Sequence, residues 1–188
     1  FKIDDLLKNM PEGQIGLIAF TQEAFLVSPL TNDQHTLKLL LNELTPQIMP
    51  VDGSNISSAL NQAAKLIKQA NYTAGNILVL TANKANSTDL QTAKKLAKDN
   101  FHTSILGMAT ALGAPLYDSY QLKHISKLDV KSLDNLASAG KGKFITFSST
   151  DKDINKIISF FKNETSNYKK QQQNLSTWQD EGRILILL

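Results

Sequence analysis

The sequence predicts an α/β fold: a three-layer sandwich with a mostly parallel sheet, an antiparallel edge hairpin, and helices on both faces. Three observations carry this expectation. Four short apolar runs, "IGLIAF" (15–20), "NILVLTA" (76–82), "TSILGMA" (103–109) and "KFITFS" (143–148), have the length and texture of strands buried on both faces. Segments with apolar residues at helical spacing lie between them, the alternation that builds parallel sheets. The first run is followed, after only Thr21, Gln22 and Glu23, by a second one, "AFLVSPL" (24–30), and so short a connection permits only an antiparallel hairpin.

The elements follow in order. Ile3, Leu6 and Leu7 share one helical face, and "MPEG" ends that helix through Pro11 and Gly13. Pro29 has no N–H to give to a ladder, so the second strand belongs at a sheet edge. Thr31 and Gln34 have capping-box spacing. Leu37, Leu40, Leu41 and Leu44 then follow helical spacing up to Pro46. "IMPVDGSN" (48–55) is a loop, with Ser54 as the expected N-cap of the next helix and Asn55 competing for that role. Ile56, Leu60, Ala63 and Ile67 form that helix's apolar face. After the "NILVLTA" strand, Thr88 and Gln91 repeat the capping box, and Leu90, Ala93, Leu96 and Ala97 line the helix interior. "TALGAPLYDSY" (110–120) is read as a glycine- and proline-marked loop. Leu133, Leu136 and Ala137 mark a short helix closed by Gly140. Thr150 is the expected cap of a last helix with Ile154, Ile157, Ile158 and Phe161 inside, and Asp33, Asp89, Asp151 and Asp153 suit the dipoles of helix first turns. Residues 1–165 form one Rossmann-like domain, and residues 166–188 a polar tail or linker that ends in the apolar run "RILILL".

Composition narrows the function classes. The 188 residues suit one domain, and 41% hydrophobic residues is ordinary for a packed core. Twenty basic residues against 17 acidic ones leave a net charge of +3, with the lysines scattered, so nucleic acid is not indicated. Cysteine is absent, which removes disulfides and thiolate metal sites. His35, His102 and His124 are far apart and do not form a ligand cluster in sequence. The N-x-S/T triplets at Asn55, Asn71, Asn86, Asn163 and Asn174 reflect an asparagine-rich composition. Neither a G-x-G-x-x-G nor a P-loop pattern occurs, and no serine sits in G-x-S-x-G context. A nucleotide-binding or small-ligand-binding domain, or an enzyme on the same kind of sheet, is the alternative function.

The order of motifs resembles the von Willebrand factor type A domain, and within it the membrane-anchored aerotolerance-operon (Bat-type) proteins. The residues that carry the resemblance are "GQIGLIAFTQEAFLVSPLTND" (13–33), "MPVDGSNISSALNQAAKLI" (49–67), "ILVLT" (77–81), "ILGMATALGAPL" (105–116) and "LDNLASAGKGKFI" (133–145). The resemblance implies a non-enzymatic protein–protein interaction module of a membrane-anchored bacterial protein, with the side of the membrane open. It also implies a metal-ion-dependent adhesion site, in which a D-x-S-x-S motif, a threonine and an aspartate give oxygen ligands to Mg²⁺. Matched position by position, that site is degenerate. The D-x-S-x-S motif would precede Phe1, the threonine position falls at Ser54, and the aspartate position falls at Ala82. The expectation is therefore no metal cofactor, or at most weak Mg²⁺ binding, and no catalytic residues. Asp52, Ser54, Asn55, Thr81 and Asn83 are the candidate binding-face residues. That face is made by the loops at 21–23, 52–55, 82–87 and 110–115.

Both ends look cut, with the first central strand of such a domain missing. Two expectations for Ile184–Leu188 stay open. The run either pairs in the vacant central slot of the sheet, or begins a membrane helix, with Tyr168 and Trp178 marking the interface.

Overall fold

The apolar runs become the strands of one sheet. The computed structural model describes residues 2–10, 13–45, 53–109, 114–117, 123–126, 128–172 and 184–187. Helix α1 (Lys2–Asn9) leads into the hairpin β1 (Ile15–Phe20) and β2 (Ala24–Thr31), followed by α2 (Gln34–Glu43) and α3 (Ile56–Gln69). Then come β3 (Gly75–Thr81), α4 (Ser87–Lys98), β4 (Phe101–Gly107), the small strands β5 (Ala114–Tyr117) and β6 (Lys123–Ser126), and α5 (Val130–Ala139). Strand β7 (Lys141–Thr146), α6 (Lys152–Gln172) and β8 (Ile184–Leu187) complete the order. Strands β4 and β7 each begin two residues earlier than the apolar runs suggest, because Asn100 and Lys141 turn the chain with φ of 62° and 55°. Asn71, at φ 63°, does the same after α3, the left-handed geometry that asparagine tolerates best after glycine.

The main sheet has the order β2-β1-β8-β3-β4-β7. Only the β1–β2 pair is antiparallel, as the three-residue turn requires, and Pro29 lies in the edge strand β2. Strand β8 enters between β1 and β3, parallel to both, pairing Ile184–Leu187 with Ile15–Ile18 on one side and Asn76–Val79 on the other. The last segment of the chain thus supplies the centre of the sheet. Ile186 and Leu187 are fully buried and belong to opposite cores. Burial of side chains of this size stabilises by about 1.5–3 kcal/mol each. Of the two expectations for "RILILL", the strand is the one observed. No helix among the described residues is long and apolar enough to cross a membrane.

Two apolar layers flank the sheet. One joins Ile56, Leu60, Ile67, Leu96, Phe101 and Leu136, from α3, α4, α5 and the sheet. The other joins Leu6, Leu7, Leu37, Ile154, Ile157 and Phe161 of α1, α2 and α6 to Leu78, Leu106 and Ile186 on the opposite face of the sheet.

Several local expectations need correction. The capping role falls one or two residues away from the expected Ser or Thr. Thr31 stays in β2, and Asp33 caps α2 by accepting from the Thr36 N–H at 3.0 Å. Asn55, not Ser54, caps α3, with its side-chain oxygen 3.0 Å from the Ser58 N–H. Thr88 lies inside α4, whose capping box is Asn86 with Asp89. Asp33 is thus an N-cap and Asp89 the third-position partner of a capping box, rather than simple dipole partners. Asn and Asp rank at least as high as Ser and above Thr as N-caps. At α6, Asp153 takes the free donors, while the Thr150 hydroxyl pairs with that of Ser148 at 3.0 Å. Finally, the loop expected over 110–120 contains β5, paired antiparallel with β6. Pro115 and the polar run "KHIS" concealed that hairpin.

Candidate functional site

The carboxyl ends of β1, β3 and β4 point the same way because the three strands are parallel through β8. In open α/β sheets that end collects the ligand-facing loops. Here the loops are tied together by backbone bonds. The Asn55 N–H donates to the Thr21 carbonyl at 2.7 Å, which joins the β1–β2 turn to the start of α3. Gly53 makes the approach possible. It sits at φ 151°, and a Cβ there would lie 2.9 Å from Gln22 Oε1 and 3.0 Å from Gln22 N. The Met108 N–H donates to the Thr81 carbonyl at 2.9 Å, joining the loops after β3 and β4.

Asp89 anchors the centre of this end. It is fully buried. One carboxylate oxygen accepts from the Ser57 N–H at 2.8 Å and the other from the Asn86 N–H at 2.9 Å. A single carboxylate therefore serves the N-termini of both α3 and α4, where the free N–H groups and the helix dipoles favour negative charge. The Asn86-x-x-Asp89 spacing is visible in the sequence as a cap box. Its reach to Ser57, 32 residues away, is a tertiary fact.

The predicted site residues fall as follows. Asp52 lies outside the described residues. Asn55 is committed to capping α3. The Thr81 hydroxyl accepts from the Asn83 N–H at 3.0 Å, and so shapes the turn after β3. Ala82 is half-buried in that turn, Asn83 is exposed, and the Lys84 side chain extends into solvent, 4.0 Å from Asp129. Ser54 stands beside the Thr21–Asn55 bond. The hydroxyl oxygens of Ser54 and Thr21 are both buried and meet no hydrogen-bond partner among the described residues. Thr21 entered the sequence reading only as part of a turn, since nothing in its local sequence marks its side chain.

A hard divalent cation needs several oxygen ligands, usually with carboxylate among them. The donors at these positions do not fit that demand. Ala82 has no ligating side chain, Ser54 and Thr21 are neutral, and Asp89 is fully buried with each oxygen accepting from a backbone N–H. Among the described residues no group of three or more His, Asp or Glu side chains could hold a metal ion.

The family model for the von Willebrand factor type A domain matches residues 2–85. Comparison with curated proteins finds no match. Among solved structures, the chain is similar to the conserved hypothetical protein BatB from Bacteroides thetaiotaomicron. The TM-score is 0.78 at 20% identity, over 88% of this chain and 85% of that one. An aerotolerance-related membrane protein from Bacteroides fragilis gives a TM-score of 0.76 at 20% identity, over 86% and 85% of the two chains. Proximal thread matrix protein 1 from the mussel byssus, solved with a zinc-occupied MIDAS motif, gives 0.62 at 15% identity, over 84% of this chain but 38% of that one. Residues 2–85 match the von Willebrand factor type A family model, and the sheet topology agrees with these likenesses: the chain has the fold seen in the Bat-type proteins.

Proposed function

We propose that this domain is a non-enzymatic protein-interaction module that engages its partner through the loops at the carboxyl end of the sheet, without a metal bridge. The observation that carries this reading is the construction of that end. Backbone bonds at Thr21–Asn55 and Thr81–Met108, with Asp89 beneath, fix the loops in one arrangement, while Asn83 and Lys84 are presented outward. A fixed polar surface suits recognition, because little conformational entropy remains to be lost on binding. The position that would carry a metal-ligating aspartate holds Ala82, and Lys84 brings positive charge nearby. The parent protein is membrane-anchored in this proposal, as the name of the Bacteroides fragilis neighbour suggests.

Two measurements test the proposal. Titration calorimetry with Mg²⁺ or Mn²⁺ is expected to give no micromolar binding, and a micromolar isotherm would overturn the metal-independent reading. A photo-crosslinking residue at Asn83, in native membranes, is expected to capture a protein equally with and without EDTA. The same residue at exposed Lys65 on α3 should not. Equal capture from both positions would remove the loop face as the interaction surface.

A further inference from the structure

The two edges of the main sheet are unlike. Strand β2 carries Pro29, which gives no N–H, and its pairing with β1 is irregular at two places. Strand β7 has no proline, its pairing with β4 shifts register once, before Phe144, and is regular from Phe144 to Thr146, and no described residue pairs with it on the side away from β4. Its outward groups can be identified by parity. The Lys143 N–H donates to Ser104 Oγ at 3.1 Å and the Phe147 N–H to the Gly107 carbonyl at 2.9 Å, so residues 143, 145 and 147 turn their N–H groups toward β4. Backbone groups alternate along a strand, so the N–H and carbonyl groups of Phe144 and Thr146 face outward.

Beside this edge, between β7 and α6, lies a cleft of 940 Å³. Its wall carries Lys143, Lys152 and Lys156, all exposed, and its apolar lining includes Phe147 and Phe160. The three lysines make no ion pair among the described residues; Lys143 lies over the Phe160 ring at 5.6 Å. Lys141 adds a further exposed cation on the strand itself. Of the neighbouring carboxylates, Asp153 is buried and paired with Lys2 at 2.8 Å, and Asp151 is exposed just before α6. The cleft is therefore basic beside an open strand edge.

We propose that β7 is a docking edge for an acidic, extended segment of a partner protein, which adds as a further strand and lays its carboxylates among Lys143, Lys152 and Lys156. Strand addition supplies main-chain bonds, and the side chains along the groove give selectivity. Charge decides the occupant. A second copy of this chain would set Lys141 and Lys143 against the same lysines, and like charges across a pair destabilise it. This edge is separate from the loop face proposed above, and neither proposal depends on the other.

The test uses a fluorescein-labelled heptapeptide alternating glutamate and valine, followed by fluorescence anisotropy on the whole chain. Saturable binding is expected, weakening as salt rises from low to half-molar concentrations. The double variant K143E/K156E, exposed at both positions, should lose affinity by about tenfold or more. A peptide N-methylated on alternate residues should lose it as well, since it cannot form the ladder. Slower amide exchange at Phe144 and Thr146 in the complex would support the assigned register. Absence of binding, or equal binding of a lysine–valine peptide, would overturn the proposal. Undiminished binding of the N-methylated peptide would reduce the contact to charge alone and overturn strand addition. Concentration-dependent dimers that K143E/K156E abolishes would assign the edge to a second copy instead.

Discussion

Asp89 and Asp153 are both buried at the carboxyl end of the sheet, and they are held in different ways. Asp89, at the centre, is compensated by backbone donors alone: Ser57 N–H from one helix and Asn86 N–H from the other. Asp153, near the β7 edge, also accepts from backbone, at Ser148 and Ile154, but adds the Lys2 ammonium at 2.8 Å. That ammonium also donates to the Thr150 carbonyl at 2.6 Å and lies over the Phe147 ring at 5.3 Å. The difference shows what each carboxylate does. Asp89 locks two loops of one face to each other from a fully buried position. Asp153 fastens the first helix to the last across the fold. A buried carboxylate under a candidate binding face is thus a structural brace here, although in sequence it could pass for a ligand.

The largest effect expected from breaking this comparison is at Asp89. Asp89→Ala takes the acceptor from the part-buried Ser57 and Asn86 N–H groups and leaves a cavity at a fully buried position, and should cost about 3 kcal/mol. A urea titration reads this as a lower midpoint with unchanged slope. A loss below about 1 kcal/mol would mean that water takes over both donors. Asp89→Asn should cost less, since one amide oxygen can still accept.

Asp153→Ala comes next, at about 2 kcal/mol, because Lys2 can turn partly to solvent once its partner is gone. This site has a pH signature. Burial pushes the Asp153 carboxyl up, but the Lys2 ammonium and the N–H groups of Ser148 and Ile154 outweigh it and hold the carboxyl below its ordinary value of 3.8. A lowered folded-state value stabilises the fold above the unfolded value and ceases to do so as pH falls through the folded one. The stability gap between wild type and Asp153→Asn should therefore be flat from neutral pH to about pH 5 and narrow below about pH 4. A gap unchanged down to pH 2 would show that the carboxylate charge contributes nothing.

The smallest effect is expected at the exposed Lys68–Asp99 pair, 3.1 Å apart with both side chains about half exposed. Breaking it with Asp99→Asn should change stability by no more than about 1 kcal/mol, and less in high salt. A larger loss would show that distance alone, and not burial, sets the value of these carboxylates.

Much of the fold was legible residue by residue. Runs such as "IGLIAF" and "ILVLT" can be little else than buried strands, and Pro29 marked its own edge. Turn and cap chemistry was less legible, because Ser, Thr, Asn and Asp all offer an acceptor within two residues of a helix start. Local pattern alone chose the wrong acceptor at Thr31, Ser54 and Thr88. The hairpin of β5 and β6 was hidden because its strands are short and one contains Pro115.

The candidate site was legible only in outline. The family resemblance placed Ser54 and Ala82 in loops at the carboxyl end of the sheet, with Thr81 at a strand end and Asn83 beside Ala82. It could not show that Asp89 reaches Ser57, or that the Thr21 and Ser54 hydroxyls are buried without partners.

By itself the sequence determined the fold class, the hairpin, the helix faces and the absence of a ligating side chain at Ala82, since these depend on periodicity and residue type within a few positions. Tertiary contacts alone set Ile184–Leu187 into the centre of the sheet and place β7 at its edge, with no second partner among the described residues. Both depend on contacts between segments far apart in the chain, and periodicity, which repeats every two to four residues, carries no record of which distant partner a strand will meet.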